Sequence, residues 1–249
     1  MKAVIITQDE PFAVPVLLEE LLSRRADAIA AVYVASPASR RESFAGMVRR
    51  WWSVFGPVDF LRYGSRFALA RALGHGPARV ALRHGVAVAE AADINAPEFL
   101  DELRELAPDL IISVACPQIF RAEILALPAR GCINVHSGPL PRYRGQLPTF
   151  WVLYHGEAET AVTVHFMNKR IDDGPIICRR AVPIAPAETQ ASLMRRCKLV
   201  GGELLAEALG LFEAGEPEAL PNPRADARYF SFPSADQARE FRRRGYRWL

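Results

Sequence analysis

Short apolar runs that alternate with helical segments are the feature of this 249-residue chain that most restricts its fold. The runs at 3–7 (AVIIT), 28–35 (AIAAVYVA) and 109–116 (DLIISVAC) are continuously apolar, as parallel strands covered on both faces are. Between the first two lies a segment with leucines at helical spacing, FAVPVLLEELLSRR. A strand, a helix and a second strand imply a right-handed crossover and a parallel sheet. The predicted fold class is therefore α/β, an open, mostly parallel, Rossmann-like sheet with helices on both faces.

The same alternation continues along the rest of the chain. The run at 109–116 is the most apolar, so we predict that it forms the central strand. The other predicted elements are a strand at 85–90, a helix at 96–106, a short helix near 121–126, a strand at 132–136, a helix at 147–155, strands at 160–167 and 175–184, a long helix at 189–215, and a closing strand and short helix.

A helical insert interrupts this alternation at about 36–85. It reads as two helices divided at Gly56–Pro57, and it is rich in aromatic residues: Phe44, Trp51, Trp52, Phe55, Phe60, Tyr63 and Phe67. An aromatic stripe at helical spacing predicts packing in a core or an interface; the alternative is a lid or a substrate-specificity insert. We predict one catalytic domain at 1–215 that contains this insert, followed by a C-terminal extension at 216–249.

Composition argues against several classes of protein. Net charge is only +3 and the arginines are spread along the chain, which disfavours nucleic-acid binding. No stretch approaches the roughly 18 apolar residues that a membrane span needs, and the N-terminal apolar run is too short for a signal peptide. The four cysteines form no CxxC pair, which is typical of reduced thiols. We expect a cytoplasmic protein that does not act on a membrane.

Polar side chains gather where three predicted elements end. Asn134 and His136 share one face of the strand at 132–136, because successive strand side chains alternate. A loop rich in proline and glycine follows, and Asp172 and Asp173 lie in the later loop KRIDDG. In open parallel sheets ligands bind outside the carboxyl ends of the strands, where the strand at 109–116 also ends. The convergence predicts a site at this edge.

These residue types suit acyl transfer without a protein nucleophile. The amide of Asn134 can stabilise the negative charge on a carbonyl oxygen, an effect of about 3–4 kcal/mol for one donor. His136 can act as acid or base near neutral pH, and Asp172 is the candidate carboxylate that orients it. Each residue has an ordinary structural explanation as well, since lone histidines, turn asparagines and DDG turns are common.

The segment CINVHSGPLPRYRGQLPTFWVLYHGEAETAVTVHFMNKRIDDGPII, residues 132–177, closely resembles the signature region of the folate-dependent formyltransferases. That family includes methionyl-tRNA formyltransferase, glycinamide ribonucleotide transformylase and the amino-sugar N-formyltransferases. The resemblance runs from residue 1 to about 215. It implies that Asn134, His136 and Asp172 form a catalytic triad and that Asp173 is the less constrained neighbour.

The resemblance also implies a donor, 10-formyltetrahydrofolate, and no metal. The five histidines show no zinc-ligand spacing. The pteridine is expected to bind largely through backbone groups, and two loop residues are expected to shape the formyl pocket. The residues implied in donor binding are Cys116, Pro117, Gln118, Ile119, Phe120, Leu140, Pro141, Arg170 and Ile171.

The acceptor is expected to be a small amine. Glycinamide ribonucleotide enzymes hold a phosphate on a glycine-rich turn after the first strand, but this chain has Asp9 and Glu10 there, which would repel it. Residues 216–249 are too few for the C-terminal barrel of the tRNA enzyme, so tRNA is disfavoured. An amino sugar or sugar nucleotide is the leading acceptor class, with the insert and the extension setting specificity.

Several alternatives stay open at this point. The chain could be a 10-formyltetrahydrofolate hydrolase of the same fold, a methionyl-tRNA formyltransferase-like enzyme, or a catalytically silent folate-binding protein. Arg142, Tyr143 and Arg144 could either reach an anionic acceptor or pin the loop that contains them. A homodimer through exposed aromatic side chains is also possible.

Overall fold

The computed structural model describes residues 1–37 and 43–249, so part of the predicted insert and the side chain of Phe44 lie outside the described residues. Nine strands are present: β1 (Ala3–Gln8), β2 (Ile29–Ala35), β3 (Ala87–Ala91), β4 (Leu110–Val114), β5 (Cys132–His136), β6 (Arg144–Gly145), β7 (Glu159–Phe166), β8 (Ile176–Pro183) and β9 (Tyr229–Phe230), all within the described ranges. The helices of the same ranges are α1 (Val14–Arg25), α2 (Phe44–Ala72), α3 (Pro77–Arg83), α4 (Pro97–Leu106), α5 (Ala122–Leu125), α6 (Pro148–His155), α7 (Gln190–Ala214) and α8 (Ala235–Arg243).

Seven strands form the main sheet in the order β3-β2-β1-β4-β5-β7-β8. The first five run parallel, whereas β7 and β8 are antiparallel to their neighbours. This confirms the predicted mostly parallel α/β class and the central place of β4. The chain turns to opposite sides of β1 to form β2 and β4, and ligand crevices occur at such reversals of strand order.

The core lies on both faces of the sheet, which explains why the strand sequences are continuously apolar. In β1, Ile5 faces the helices α1 and α7, while Ile6 faces α4. Leu17 of α1 and Leu204 of α7 are buried on the first face, and Phe99 is buried on the second. Each fully buried side chain of this kind contributes about 1.5–3 kcal/mol to folding.

The helical insert packs as a broken helix against the main body. Gly56 has φ 75° and interrupts α2, which confirms the predicted division at Gly56–Pro57. The ring of Phe12, in the loop after β1, lies 5.3 Å from that of Tyr63, and the ring of Phe55 lies 4.6 Å from that of Trp248. The insert therefore covers the loop that follows β1. The short helix α3, which completes the insert, was not predicted.

Residues 216–249 fold back onto the core. The strand β9 pairs in parallel with β6, and Phe241 and Trp248 are fully buried around Phe150. A two-residue strand has no periodicity, so the β6–β9 pairing could not be predicted from the sequence. No helix in residues 1–37 or 43–249 combines the length and the apolar character needed to cross a membrane.

Candidate active site

His136 lies at the carboxyl end of β5 and is almost fully buried. Its Nε2 is 2.6 Å from the backbone carbonyl oxygen of Tyr143. Because a carbonyl can only accept, the ring carries its proton on Nε2. The Nδ1 atom is left facing Oδ2 of Asp172 at 3.6 Å.

Asp172 is held at this position by the backbone and by two imidazoles. Its φ of 52° belongs to a tight turn, and its Oδ2 accepts a hydrogen bond of 2.8 Å from the amide of Gly145. Burial acts to raise the pKa of Asp172, but His136, His165 and the Gly145 amide together hold that pKa well below its usual range. Asp172 is therefore ionised at neutral pH.

His165, on β7, completes the group and was missed in the sequence. It lies directly opposite Asn134 across the β5–β7 pair. Its Nδ1 donates to the carbonyl of Phe166 at 2.7 Å, and its Nε2 lies 3.2 Å from Nδ2 of Asn134 and 3.5 Å from Oδ1 of Asp172. The contact orients the Asn134 amide and leaves one of its N–H groups for another acceptor. A histidine within a buried strand, directly opposite Asn134, was the available signal.

Opposing influences set the ionisation of His136. Burial lowers its pKa most; Asp172 and the Tyr143 carbonyl raise it; His165 and Lys198 lower it further, and the net direction is downward. We therefore treat the ring as neutral at pH 7, with Nδ1 free to accept a proton. An ionised carboxylate at this distance can stabilise an imidazolium at His136.

Two glycines make this packing possible. A Cβ on Gly138 would lie 2.9 Å from Nε2 of His136 and 2.7 Å from Cβ of Pro148. A Cβ on Gly174 would lie 1.9 Å from the carbonyl oxygen of Phe166. Only glycine allows both loops to approach the strands this closely.

Asp173 is more constrained than its sequence position suggested, which corrects that expectation. It is 8% exposed and pairs with the equally buried Arg144, and Arg224 contacts its other carboxylate oxygen at 2.9 Å. Asn222 donates to the carbonyls of Asp172 at 3.0 Å and of Gly174 at 2.9 Å. The extension thus holds the Asp172 turn in place.

The loop after β5 is likewise pinned by its own side chains. Tyr143 is buried, and its hydroxyl donates to Glu157 at 2.7 Å. Arg144 is occupied by Asp173, while the exposed Arg142 lies 3.6 Å from Glu157. These residues were predicted either to reach an anionic acceptor or to hold the loop in place. The contacts of Tyr143 and Arg144 favour the second role.

The residues implied in donor binding lie at the expected edge but differ in exposure. Gln118 uses its amide to bind three backbone groups, of Ser36, Ala92 and Ile94, so it ties loops together. The side chains of Phe120 and Leu140 are buried, whereas Ile119 and Ile171 are exposed. Any donor contact from Phe120, Leu140 and Gln118 would therefore come from their backbone groups.

The remaining members of that set are distributed as follows. Cys116 is partly buried, and burial raises the pKa of its thiol to about 11, so it is no nucleophile at neutral pH. Pro117 and Pro141 are partly buried, and Arg170 is exposed. The Leu140–Pro141 peptide bond is cis.

The N-terminus of α1 is occupied by the protein's own carboxylate. Glu10 accepts hydrogen bonds from the amides of Phe12 at 2.8 Å, Ala13 at 2.6 Å and Val14 at 2.9 Å. These are the groups that would otherwise bind an anion at a helix start. The geometry agrees with the expectation that a phosphate is repelled there.

Comparison with known proteins identifies the family. The model of the Formyl transferase family matches residues 66–209, more than half of the chain. The chain therefore belongs to the formyl transferase family.

Its sequence relatives include methionyl-tRNA formyltransferases. The protein from Myxococcus xanthus is 40% identical over 144 residues, which are 58% of this chain and 46% of that protein. The protein from Trichlorobacter lovleyi is 42% identical over 142 residues, 56% of this chain and 45% of its own. The chain thus spans about half the length of the curated relatives it matches. The expectation that tRNA is disfavoured as an acceptor is not supported by these relatives.

Solved structures share the fold. Glycinamide ribonucleotide transformylase 1 from Symbiobacterium toebii superposes with a TM-score of 0.62 at 20% identity, covering 86% of this chain and 89% of its own. A sugar N-formyltransferase from Shewanella sp FDAARGOS_354 gives a TM-score of 0.61 at 19% identity, covering 93% and 77%. At these identities the likeness shows a common fold alone.

Proposed function

We propose that this protein transfers a formyl group from 10-formyltetrahydrofolate to a primary amine of a small metabolite, with amino sugars and sugar nucleotides as the leading acceptor class. The observation that carries the proposal is the meeting of Asn134, His136 and Asp172 in a member of this family. Residues 1–215 are proposed as the catalytic domain and 216–249 as an extension that supports its catalytic loop.

The chemistry follows from the protonation states of the site. The acceptor nitrogen forms a bond to the formyl carbon, and the C=O electron pair moves to the oxygen. The N–H of Asn134 that His165 does not use stabilises this oxyanion, an effect of about 3–4 kcal/mol. Nδ1 of His136 takes the proton of the attacking amine and gives it to N10 of the folate as the C–N10 bond breaks. Asp172 balances the charge on His136 between these two transfers.

The donor is proposed to bind beside the segment that follows β4. Cys116–Phe120 and Arg170–Asp172 flank that edge of the sheet, and Cys116 packs on the same apolar cluster as Met167, just before the second segment. Backbone groups of both segments would bind the pteridine, and Leu140 and Pro141 would shape the formyl pocket. No protein nucleophile is required.

A small acceptor is supported by the insert. The aromatic rings of Phe12, Tyr63 and Phe67 pack together where α2 covers the loop after β1. This packing places the insert over one side of the proposed site, where it could contact a small acceptor directly. The second candidate acceptor is methionyl-tRNA, which the 40–42% identical relatives favour by their names.

The test is an acceptor screen with 10-formyltetrahydrofolate. Tetrahydrofolate release and formyl adducts are measured with amino-sugar nucleotides, amino-sugar phosphates, methionyl-tRNA and no amine. The proposal predicts adducts with a small amine and little release without one. Adducts with methionyl-tRNA alone would favour the second candidate. Release that does not depend on an amine would indicate a hydrolase, and no release at all a silent folate-binding protein.

A further inference from the structure

Lys198 is a buried basic side chain that the catalytic scheme does not use. It lies on α7, is 7% exposed, and burial lowers the pKa of its ammonium, while Cys197 and Glu10 act in the opposite direction. Within residues 1–37 and 43–249, nothing hydrogen-bonds to this ammonium or forms an ion pair with it. A buried charge without a partner is costly, so its presence needs an explanation.

The packing of two helices places Lys198 at the level of the cleft. Leu17 of α1 is next to Gly201 of α7, and farther along both helices Arg25 contacts Glu213, so α1 and α7 run in the same direction. Lys198 precedes Gly202 by one helical turn, and Gly202 packs against the backbone of Leu17. The lysine is therefore level with the first turn of α1, at the carboxyl end of β1.

The charges around Lys198 agree with that position. Its charge contributes to the lowered pKa of His136, and the carboxylate of Glu10 acts on Lys198 in turn. Tyr63 of the insert also faces Glu10: burial and then this carboxylate raise the pKa of its hydroxyl to about 12. Glu10 thus acts on both Lys198 and Tyr63, on the side where α2 packs against the loop after β1.

Glu10 does not neutralise Lys198. Its two carboxylate oxygens already accept three backbone hydrogen bonds at the start of α1. Those amides would otherwise attract an anion. Because Glu10 already occupies them, Lys198 is the group on this side that can bind one. The cleft is left with one buried positive charge that has no internal partner.

We propose that Lys198 binds an anionic group of the acceptor, a phosphate or a carboxylate, and thereby positions the acceptor amine at His136. The assignment rests on the proposed formyl transfer and narrows its acceptor to amines that carry a negative charge. Lys198 is a binding residue in this scheme and takes no part in the proton transfers.

Anion binding without catalysis is the first test. Isothermal titration of the full chain with inorganic pyrophosphate, inorganic phosphate and acetate compares the wild type with Lys198→Met, Lys198→Arg and the remote control Lys2→Met. We expect Lys198→Met to bind the preferred anion about tenfold more weakly or worse, since one charge-assisted hydrogen bond is lost. Lys198→Arg should retain binding, and Lys2→Met should match the wild type. Tighter binding of acetate would indicate a carboxylate, and of the phosphates a phosphorylated acceptor.

Formyl transfer provides the second test. Glucosamine 6-phosphate and glucosamine are compared as acceptors that differ only in the phosphate. We expect Lys198→Met to raise KM for the phosphorylated amine about tenfold and to leave KM for glucosamine and for the folate unchanged. The thermal midpoint of this variant should not fall, because the change removes a buried charge.

Two outcomes would overturn the inference: a wild type that binds none of the three anions, or a Lys198→Met variant that binds them equally well. A wild type that binds anions through Lys198 but formylates no amine would instead count against the proposed function. The binding experiment therefore tests the role of Lys198, the transfer experiment tests the proposed function, and either can fail while the other succeeds.

Discussion

Two buried basic side chains near the cleft differ in whether the protein supplies a counter-charge for them. On the side of the Asp172 loop, Arg144 is paired with Asp173 and hydrogen-bonds to Asn222, so its charge is balanced within the protein. On the side of α1 and α7, Lys198 is equally buried and has no such partner among the described residues. Arg144 therefore holds a loop in place, whereas Lys198 is available to bind a ligand.

The difference shows how a buried charge can be assigned a role. Arg144 lies in the distinctive loop sequence PLPRYRG, but its internal partners give it a structural role. Lys198 lies in an ordinary helical segment, but the absence of an internal partner among the described residues supports a role in binding. A buried charge that is paired within the protein specifies the fold locally, whereas a buried basic group without an internal counter-charge is expected to be completed by an anion that binds. The predictions below test this contrast, from the largest expected effect to the smallest.

Breaking the paired charge should destabilise the protein most. Asp173→Asn leaves the buried Arg144 without its carboxylate, and we expect a loss of about 3 kcal/mol in the free energy of unfolding, measured by urea denaturation. Asp236→Asn, which removes an exposed carboxylate that pairs with Arg239, is the matched control and should leave that free energy unchanged. Equal effects of the two substitutions would contradict the structural role of Asp173.

Loosening the Asp172 turn should have a smaller effect on stability and a clear effect on rate. Asn222→Ala removes the hydrogen bonds to the carbonyls of Asp172 and Gly174, and we expect a loss of about 1–3 kcal/mol in stability. Misplacement of Asp172 should also lower kcat by as much as about 100-fold. A variant that loses stability but keeps the wild-type kcat would show that Asn222 does not position Asp172.

Removing the unpaired charge should shift the pH profile without a loss of stability. The groups that act on His136 are Asp172, His165, Lys198 and the Tyr143 carbonyl, and Lys198 lowers its pKa. Lys198→Met should therefore raise the pKa of His136, so the acidic limb of kcat/KM moves to higher pH. An unchanged limb, or a movement to lower pH, would place Lys198 too far from His136 to act on it.

Most of the fold could be predicted because its signals are local. The strands β1, β2 and β4 are buried on both faces and are therefore continuously apolar. The break in α2 occurs at Gly56–Pro57, a pair that disfavours a continuous helix. Asn134, His136 and Asp172 were predicted as site residues because a strand end and a turn carry recognisable motifs. The structure brings all three within reach of one another through His165.

The remainder depends on packing that no local pattern records. Lys198 follows Arg195 and Arg196 in the sequence, so it resembles part of a solvated helix face until α1 packs on α7. Asp173 resembles a turn residue until Arg144 and Arg224 meet it from segments distant in sequence. The pairing of β6 with β9 joins two-residue strands whose periodicity cannot be read.

The central claim is that Asn134, His136 and Asp172 act together in formyl transfer to an amine. The most direct measurement is the amine-dependent rate of adduct formation by Asp172→Asn, a nearly isosteric change, with circular dichroism to verify the fold. The account predicts a fall of about 100- to 10,000-fold, because the histidine loses the charge that stabilises its protonated form. A folded Asp172→Asn protein that transfers formyl at the wild-type rate would contradict it.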